Sequence, residues 1–308
     1  MNRFIRLRLL AMLLCLPFLL IFISGCGSSS QKKDEPPVYS PLQVLVPEAT
    51  GKETLGSSPM ILDVSNISQG YFIAQSDSSD LTCSLQIISP SGVLYSYFIA
   101  PGESATVTFT EGSGDYTITG YQQVQGDQYA ALYSETVTVQ LENDFLPFLY
   151  PNQYVNFTPD SKASQLALSL IDEDTVDVDA LQQIYDYVVS NLTYDYEKAD
   201  TVTTGYLPDV DETLKTGTGI CFDYAALTTA MLRSCDIPCK LQIGYAGDIK
   251  HAWIDVYIHS KGWVNQAVSF KGDTWTLMDP TFDSNSDDKE AIQDYIGDES
   301  NYTVQFTR

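Results

Sequence analysis

Positive charge is scarce in this chain. Lys and Arg number 16 against 40 Asp and Glu, a formal net charge of -24 over 308 residues. A surface so acidic repels phosphate backbones and anionic headgroups, which excludes nucleic acid as a partner. Histidine is scarcer still, with two residues, His251 and His259. Cysteine numbers six, unevenly spaced, which excludes a small disulfide-stapled scaffold. Cys83 alternates with Leu81, Leu85 and Ile87 and reads as a buried strand position. Cys235 and Cys239 flank Asp236, Ile237 and Pro238, and the spacing leaves open whether they bridge or sit in a core. As zinc ligands they would need two further donors, for which only the two histidines exist. No metal and no cofactor is expected. An acidic run from Asp283 to Asp294 imitates a calcium loop, but it carries Asp288 where the loop needs glycine and Asp294 where it needs glutamate.

Long apolar runs are absent with one exception, at the N-terminus. Arg3, Arg6 and Arg8 precede an apolar stretch from Leu9 to Ile23, broken by Pro17 and followed by Ser24, Gly25 and Cys26. This is the layout of a secretory signal with small residues before the cut, and the run is short for a membrane span. A cysteine directly after the small pair resembles a bacterial lipobox. The resemblance implies that residues 1–25 are removed and that Cys26 carries lipid, anchoring the protein to the cell membrane on its extracytoplasmic side. Removal takes away three arginines and no carboxylate, leaving 13 cationic against 40 acidic residues, a formal -27.

What is present argues for packed structure. Apolar residues make up 44% of the chain and tyrosines number 20, which separates it from acidic disordered proteins. Residues 26–58, opening with the polar, breaker-rich "GSSSQKKDEPP", read as a lipidated tether. From 59 to 142 come short β-branched and aromatic runs, among them "GYFIAQ", "LTCSLQII", "VLYSYFI" and "ETVTVQL", separated by "SPSG", "PGES" and "QGD". Their spacing predicts a small antiparallel sandwich of about seven strands.

Residues 143–308 form a second domain, expected to be α+β. An aromatic, proline-broken connection runs to residue 160, and helical periodicity follows in "SKASQLALSLI" and "DVDALQQIYDYVVSNL". Asp177 or Asp179 is placed to cap the second helix. Residues 193–219 read as a long loop. Cys221 then opens the alanine- and leucine-rich "CFDYAALTTAMLRS", behind Gly217 and Gly219. A cysteine at a helix start meets unpaired backbone N–H groups and the positive end of the dipole, which favour a thiolate and can face an oxyanion. His251 opens "HAWIDVYI", an alternating strand with His251, Trp253, Asp255 and Tyr257 on one face. Asp279 ends the strand-like "WTLMD" before Pro280, where a carboxylate can fix a histidine tautomer. Tyr224 and Trp253 are candidates to line a substrate cleft, with aromatic core packing as the other reading. His259 reads as a solvated turn residue.

These blocks, "GTGICFDYAALTTAMLRSCDIPCKLQIGYA", "HAWIDVYI", "GWV" and "WTLMDPTFD", resemble the transglutaminase-like superfamily, which shares a papain-like cysteine-protease core. The resemblance implies Cys221 as nucleophile, His251 as base and Asp279 as orienting group. It implies a fold in which the cysteine helix packs on an antiparallel sheet, here preceded by the small all-β sandwich. It also implies a thiol enzyme that cleaves or transfers amide bonds, without choosing between water and an amine as acceptor; peptidase or amidase action is the first expectation here and transamidation the second. A protein or a cell-wall peptide is the expected substrate, and a catalytically inert binding protein is the remaining alternative.

Overall fold

The computed structural model describes residues 34–172, 174–265, 268–271, 274–277 and 302–308. The chain divides into two units, residues 1–30 and 31–308, and every described residue belongs to the second. The signal segment, Cys26, Asp279 and the acidic run 283–294 lie outside the described residues.

Eight strands build the first part, and the expected sandwich is there. They are β1 (Thr54–Ser57), β2 (Met60–Asp63), β3 (Tyr71–Ser76), β4 (Cys83–Ile88), β5 (Leu94–Ile99), β6 (Ser104–Thr108), β7 (Gly114–Gln125) and β8 (Gln128–Val139). One sheet has the order β1-β2-β3-β6 and the other β5-β4-β7-β8, all neighbours antiparallel. Alternation does the sorting. Cys83, Leu85 and Ile87 on β4 are buried in a core with Phe72, Tyr97, Phe109 and Ile118. The long β7–β8 hairpin extends beyond the runs visible in sequence, its strands pairing out to Gln125 and Gln128 through two register shifts.

The expected tether is docked from Pro36 onward. Pro36 and Pro37 are buried. Leu42 and Val44 pack into the core of the second domain, and Leu45 packs with Tyr71 and Leu149. The sandwich itself begins at Thr54, inside the stretch read as tether. A polar, proline-rich composition conceals these three aliphatic residues, whose burial holds the segment down.

The connection after β8 is buried as well. Phe145, Leu146, Phe148 and Leu149 form a short 3-10 turn with little exposed surface. Phe145 and Phe148 meet the ring of Trp263 at 5.9 and 5.2 Å between centroids. The second domain then runs α1 (Lys162–Leu170), α2 (Asp177–Asn191), β9 (Thr193–Tyr194), α3 (Tyr196–Thr201), α4 (Val210–Thr216), β10 (Thr218–Gly219), α5 (Cys221–Arg233), β11 (Cys239–Ala246), β12 (Ile249–Ile258), β13 (Gly262–Val264), β14 (Val268–Lys271), β15 (Thr274–Leu277) and β16 (Tyr302–Thr307). Its main sheet has the order β13-β12-β11-β16, antiparallel throughout. Helix α5 packs on β11 and β12, with α1, α2 and α4 around it. From Asp223 to Arg233 every residue of α5 is buried, so the helix is the centre of the domain.

Two local readings are corrected. Neither Asp177 nor Asp179 caps α2, whose N-cap is Val176. Asp177 instead holds His259, accepting its backbone N–H at 2.6 Å and meeting its ring Nδ1 at 3.0 Å. His259 is thus exposed but tied to α2. The run 193–219 is not a plain loop. It holds two short helices, started by the side chains of Asp195 and Asp209, which accept backbone N–H groups of the following turn.

The last strand joins the two parts. β16 pairs with β11, while Phe306 packs against the sandwich core. Arg308 is buried among the rings of Tyr95, Tyr97, Tyr154 and Phe306, at 4.1 to 5.4 Å from their centroids. Its Nη1 donates to Tyr97 Oη at 3.0 Å.

Candidate active site

The start of α5 is set by the chain before it. α4 ends at Gly217 with φ +64°, a left-handed conformation that suits glycine. β10 then pairs in parallel with β9, fixing Thr218 beside Thr193 and Gly219 beside Tyr194. Ile220 is the N-cap, and Cys221 is the first helical residue. Isoleucine offers no oxygen to the helix, so the cap is made in one direction only. Asp223 Oδ2 accepts the Ile220 N–H at 2.8 Å. Gly219 makes this possible, since a Cβ there would lie 2.6 Å from Asp223 Cβ.

Asp223 has no exposed surface and serves more than the cap. Its Oδ2 accepts Lys198 Nζ at 2.7 Å, and its Oδ1 accepts the Tyr206 hydroxyl. Lys198 also donates to Tyr206 Oη at 2.7 Å, closing a three-membered network. Burial pulls Lys198 down, yet its bonds to Asp223 and Tyr206 outweigh this and hold the ammonium above its ordinary value. Burial, together with donation to Asp223, pushes Tyr206 up to about 12.

The N–H groups of Asp223 and Tyr224 both reach the Ile220 carbonyl, at 2.9 and 3.1 Å. Among the described residues the N–H groups of Cys221 and Phe222 meet no acceptor. Two donors therefore remain at the turn that carries the thiol. Cys221 is half-buried, whereas Cys83, Cys235 and Cys239 are buried, and all four are free thiols. Burial pushes Cys235 and Cys239 up to about 12, which leaves them inert core residues rather than a bridge.

His251 is the third residue of β12, the strand on which α5 packs. It is buried, and its ring lies nearly parallel to that of Trp253, 18° apart with centroids at 6.3 Å. The alternation expected from sequence holds. Ala252, Ile254, Val256 and Ile258 enter the core shared with α5. On the other face Asp255 Oδ2 accepts Gln242 Nε2 at 2.5 Å, and Thr307 of β16 donates to Gln242 Oε1 at 2.8 Å. Gly244 pairs with His251 across β11, at a break in the register with β16. A Cβ at Gly244 would lie 1.9 Å from the Thr303 carbonyl oxygen and 3.0 Å from the Trp253 indole. Glycine inside a strand signals such a close approach, and this one was readable in "QIGYA".

Tyr224 and Trp253 do not line an open cleft. Tyr224 faces the domain core with no exposed surface, and Trp253 packs against Tyr302 of β16 at 5.1 Å. Each fills the core role that the sequence also allowed. The third expected member of the site, Asp279, lies outside the described residues. Sequence reasoning missed Lys198 and Tyr206, which sit in the run taken for a loop. The aspartate that caps α3, followed three residues later by Lys198, was the signal available.

Comparison with known proteins adds a family. Residues 164–280 match the model of the transglutaminase-like superfamily, a range that spans Cys221, His251 and Asp279. No curated protein matches the chain. Among solved structures, a candidate cysteine protease from Cytophaga hutchinsonii is similar at 17% identity, over 83% of this chain and 84% of its own, with a TM-score of 0.37. The periplasmic domain of TgpA from Pseudomonas aeruginosa is similar at 14% identity, over 78% and 95%, with a TM-score of 0.34. Red sea bream transglutaminase is similar at 15% identity, over 70% and 48%, with a TM-score of 0.26. Residues 164–280, with the cysteine helix at their centre, are the part of the chain that matches the transglutaminase-like superfamily.

Proposed function

We propose that the protein is a membrane-anchored thiol enzyme that hydrolyses amide bonds through Cys221, His251 and Asp279. The observation that carries this reading is the position of Cys221. It is the one accessible thiol among the described cysteines, at the first residue of a helix with two free N–H donors, in the part of the chain that matches this superfamily. The Cys221 thiolate attacks the amide carbonyl carbon, and the helix-start N–H groups receive the oxyanion. The C–N bond breaks as the His251 imidazolium gives its proton to the leaving amine. Water then attacks the thioester, passing a proton to His251, and the C–S bond breaks to restore the thiolate. Asp279 orients the imidazole.

A peptide panel, including cell-wall stem peptides, is the test. Cys221→Ala and His251→Ala are each expected to lower hydrolysis by about 10³-fold or more. Undiminished hydrolysis by the alanine variant would remove the reading. Incorporation of a labelled primary amine in place of water would move the assignment to a transamidase with the same residues. Anchoring through lipid on Cys26 has its own check. Cys26→Ser is expected to shift the protein from the detergent phase to the aqueous phase, and unchanged partition would count against the anchor.

A further inference from the structure

The buried carboxylate of Asp223 stands two residues from Cys221 and at the same end of the helix. A thiolate forming there shares the first turn of the helix with that negative charge, which disfavours it. Among the described residues the cation paired with Asp223 is Lys198. We propose that Lys198 is a positioning residue for Cys221, acting through Asp223: its ammonium cancels the buried carboxylate and ties α3 to the start of the catalytic helix. The inference rests on the reading of Cys221 as the nucleophile.

Geometry carries it. Lys198 Nζ lies 2.7 Å from Asp223 Oδ2 and 2.7 Å from Tyr206 Oη, so the ammonium is held by two partners and the carboxylate by three donors. Lys198 is placed by its own helix start, where its backbone N–H donates to Asp195 Oδ1 at 2.8 Å. The pair is therefore built from both sides. Other charged groups near this end are otherwise engaged. Lys215 on α4 pairs with Glu212 on the same helix, at 2.7 Å. His251, on the strand beneath α5, is the proposed proton carrier. Asp195 serves the backbone of α3. Among these described groups, Asp223 and Lys198 stand paired at the start of the helix with opposite charges.

That opposition gives a test with signed outcomes. The full chain, in detergent, is alkylated with iodoacetamide from about pH 5 to 9, and Cys221 is followed by peptide mass spectrometry. Lys198→Met strands the carboxylate, so the inflection moves up by about one pH unit and the rate near pH 6 falls about tenfold. Asp223→Asn leaves the ammonium alone while its amide oxygen can still accept the Ile220 N–H. Its inflection moves down. The double variant returns to within about twofold of wild type. A merely structural role would slow both single variants alike. Shifts in the same direction, or no shift in either, would overturn the proposal, with thermal melts confirming that each variant is folded. Slow wild-type alkylation that ignores His251→Ala would defeat the functional reading instead. The direction of the two shifts still reads the charge coupling in that case.

Discussion

Asp236 and Arg233, three residues apart at the end of α5, show how single side chains are bound into this core. Arg233 is fully buried and donates to the carbonyls of Cys239, Tyr150 and Arg308 at 2.8 to 3.0 Å. Burial brings it down to about 10. Its planar fork reaches three separate segments at once, which a lysine point charge cannot do. Asp236 follows with φ +58° and receives the N–H groups of Tyr39 and Gln43, so it docks the N-terminal segment. Its Oδ2 is buried without a hydrogen-bond partner among the described residues. Burial pushes this carboxyl up to about 7, outweighing the two N–H bonds. Between the ordinary value of 3.8 and about 7, the folded state holds a proton that the unfolded chain has released. Stability contributed at this site therefore falls as pH rises through that window. Asp236→Asn is expected to raise the melting temperature near pH 8 and leave it nearly unchanged near pH 4, as read by calorimetry. An equal effect at both pH values would refute the assignment.

At the scale of elements, the start of α5 concentrates the most constraint. Gly219, Ile220 and Asp223 form one unit, because the close approach of Gly219 to Asp223 lets the carboxylate reach the N-cap N–H. Gly219→Ala should force the two Cβ atoms apart, cost about 1–3 kcal/mol in urea denaturation and slow Cys221 alkylation in parallel. Stability lost without any change in alkylation would separate the glycine from the site. Which elements could be read in advance follows from what stabilises them. α1, α2, α5 and β12 carry apolar periodicity over many residues, and the sequence pattern places all four. α3 and α4 are six and seven residues long. They depend on aspartate caps and on tertiary bonds such as Lys198 to Asp223, which periodicity does not record. β16 escaped for a related reason. Its alternate residues meet different surroundings: Tyr302 packs on Trp253, Val304 is exposed and Phe306 packs on the sandwich core. The nucleophile and histidine stood out because cysteine at a helix start and scarce histidine are chemical signals rather than packing signals. Lys198 gave no such signal.

At the scale of the whole molecule, sandwich and cysteine domain are bound by segments far apart in the chain. The N-terminal stretch lends Val44 to the core of the cysteine domain and Leu45 to the cluster around Tyr71. The aromatic connection stacks on Trp263. β16 completes the sheet under α5 while Arg308 sits in a cage of four rings, two of which, Tyr95 and Tyr97, the sandwich supplies. Residues 26–58 read from composition as tether because each of these contacts uses one or two residues. No window average detects an isolated leucine that becomes buried.

The closing strand has a consequence for how the protein comes into being. Thr110 Oγ1 donates to the Thr307 carbonyl across 197 positions, and Arg308 reaches Tyr97 across 211. Contacts of such span are entropically expensive to close and form late. The sandwich, whose hairpins are local, holds Tyr95 and Tyr97 ready for Arg308. The sheet beneath the cysteine helix gains its fourth strand over a shorter span, Thr307 meeting Gln242 across 65 positions. The same short strand thus serves both the sheet under the cysteine helix and the sandwich, so a chain that lost its last residues would loosen the two at once.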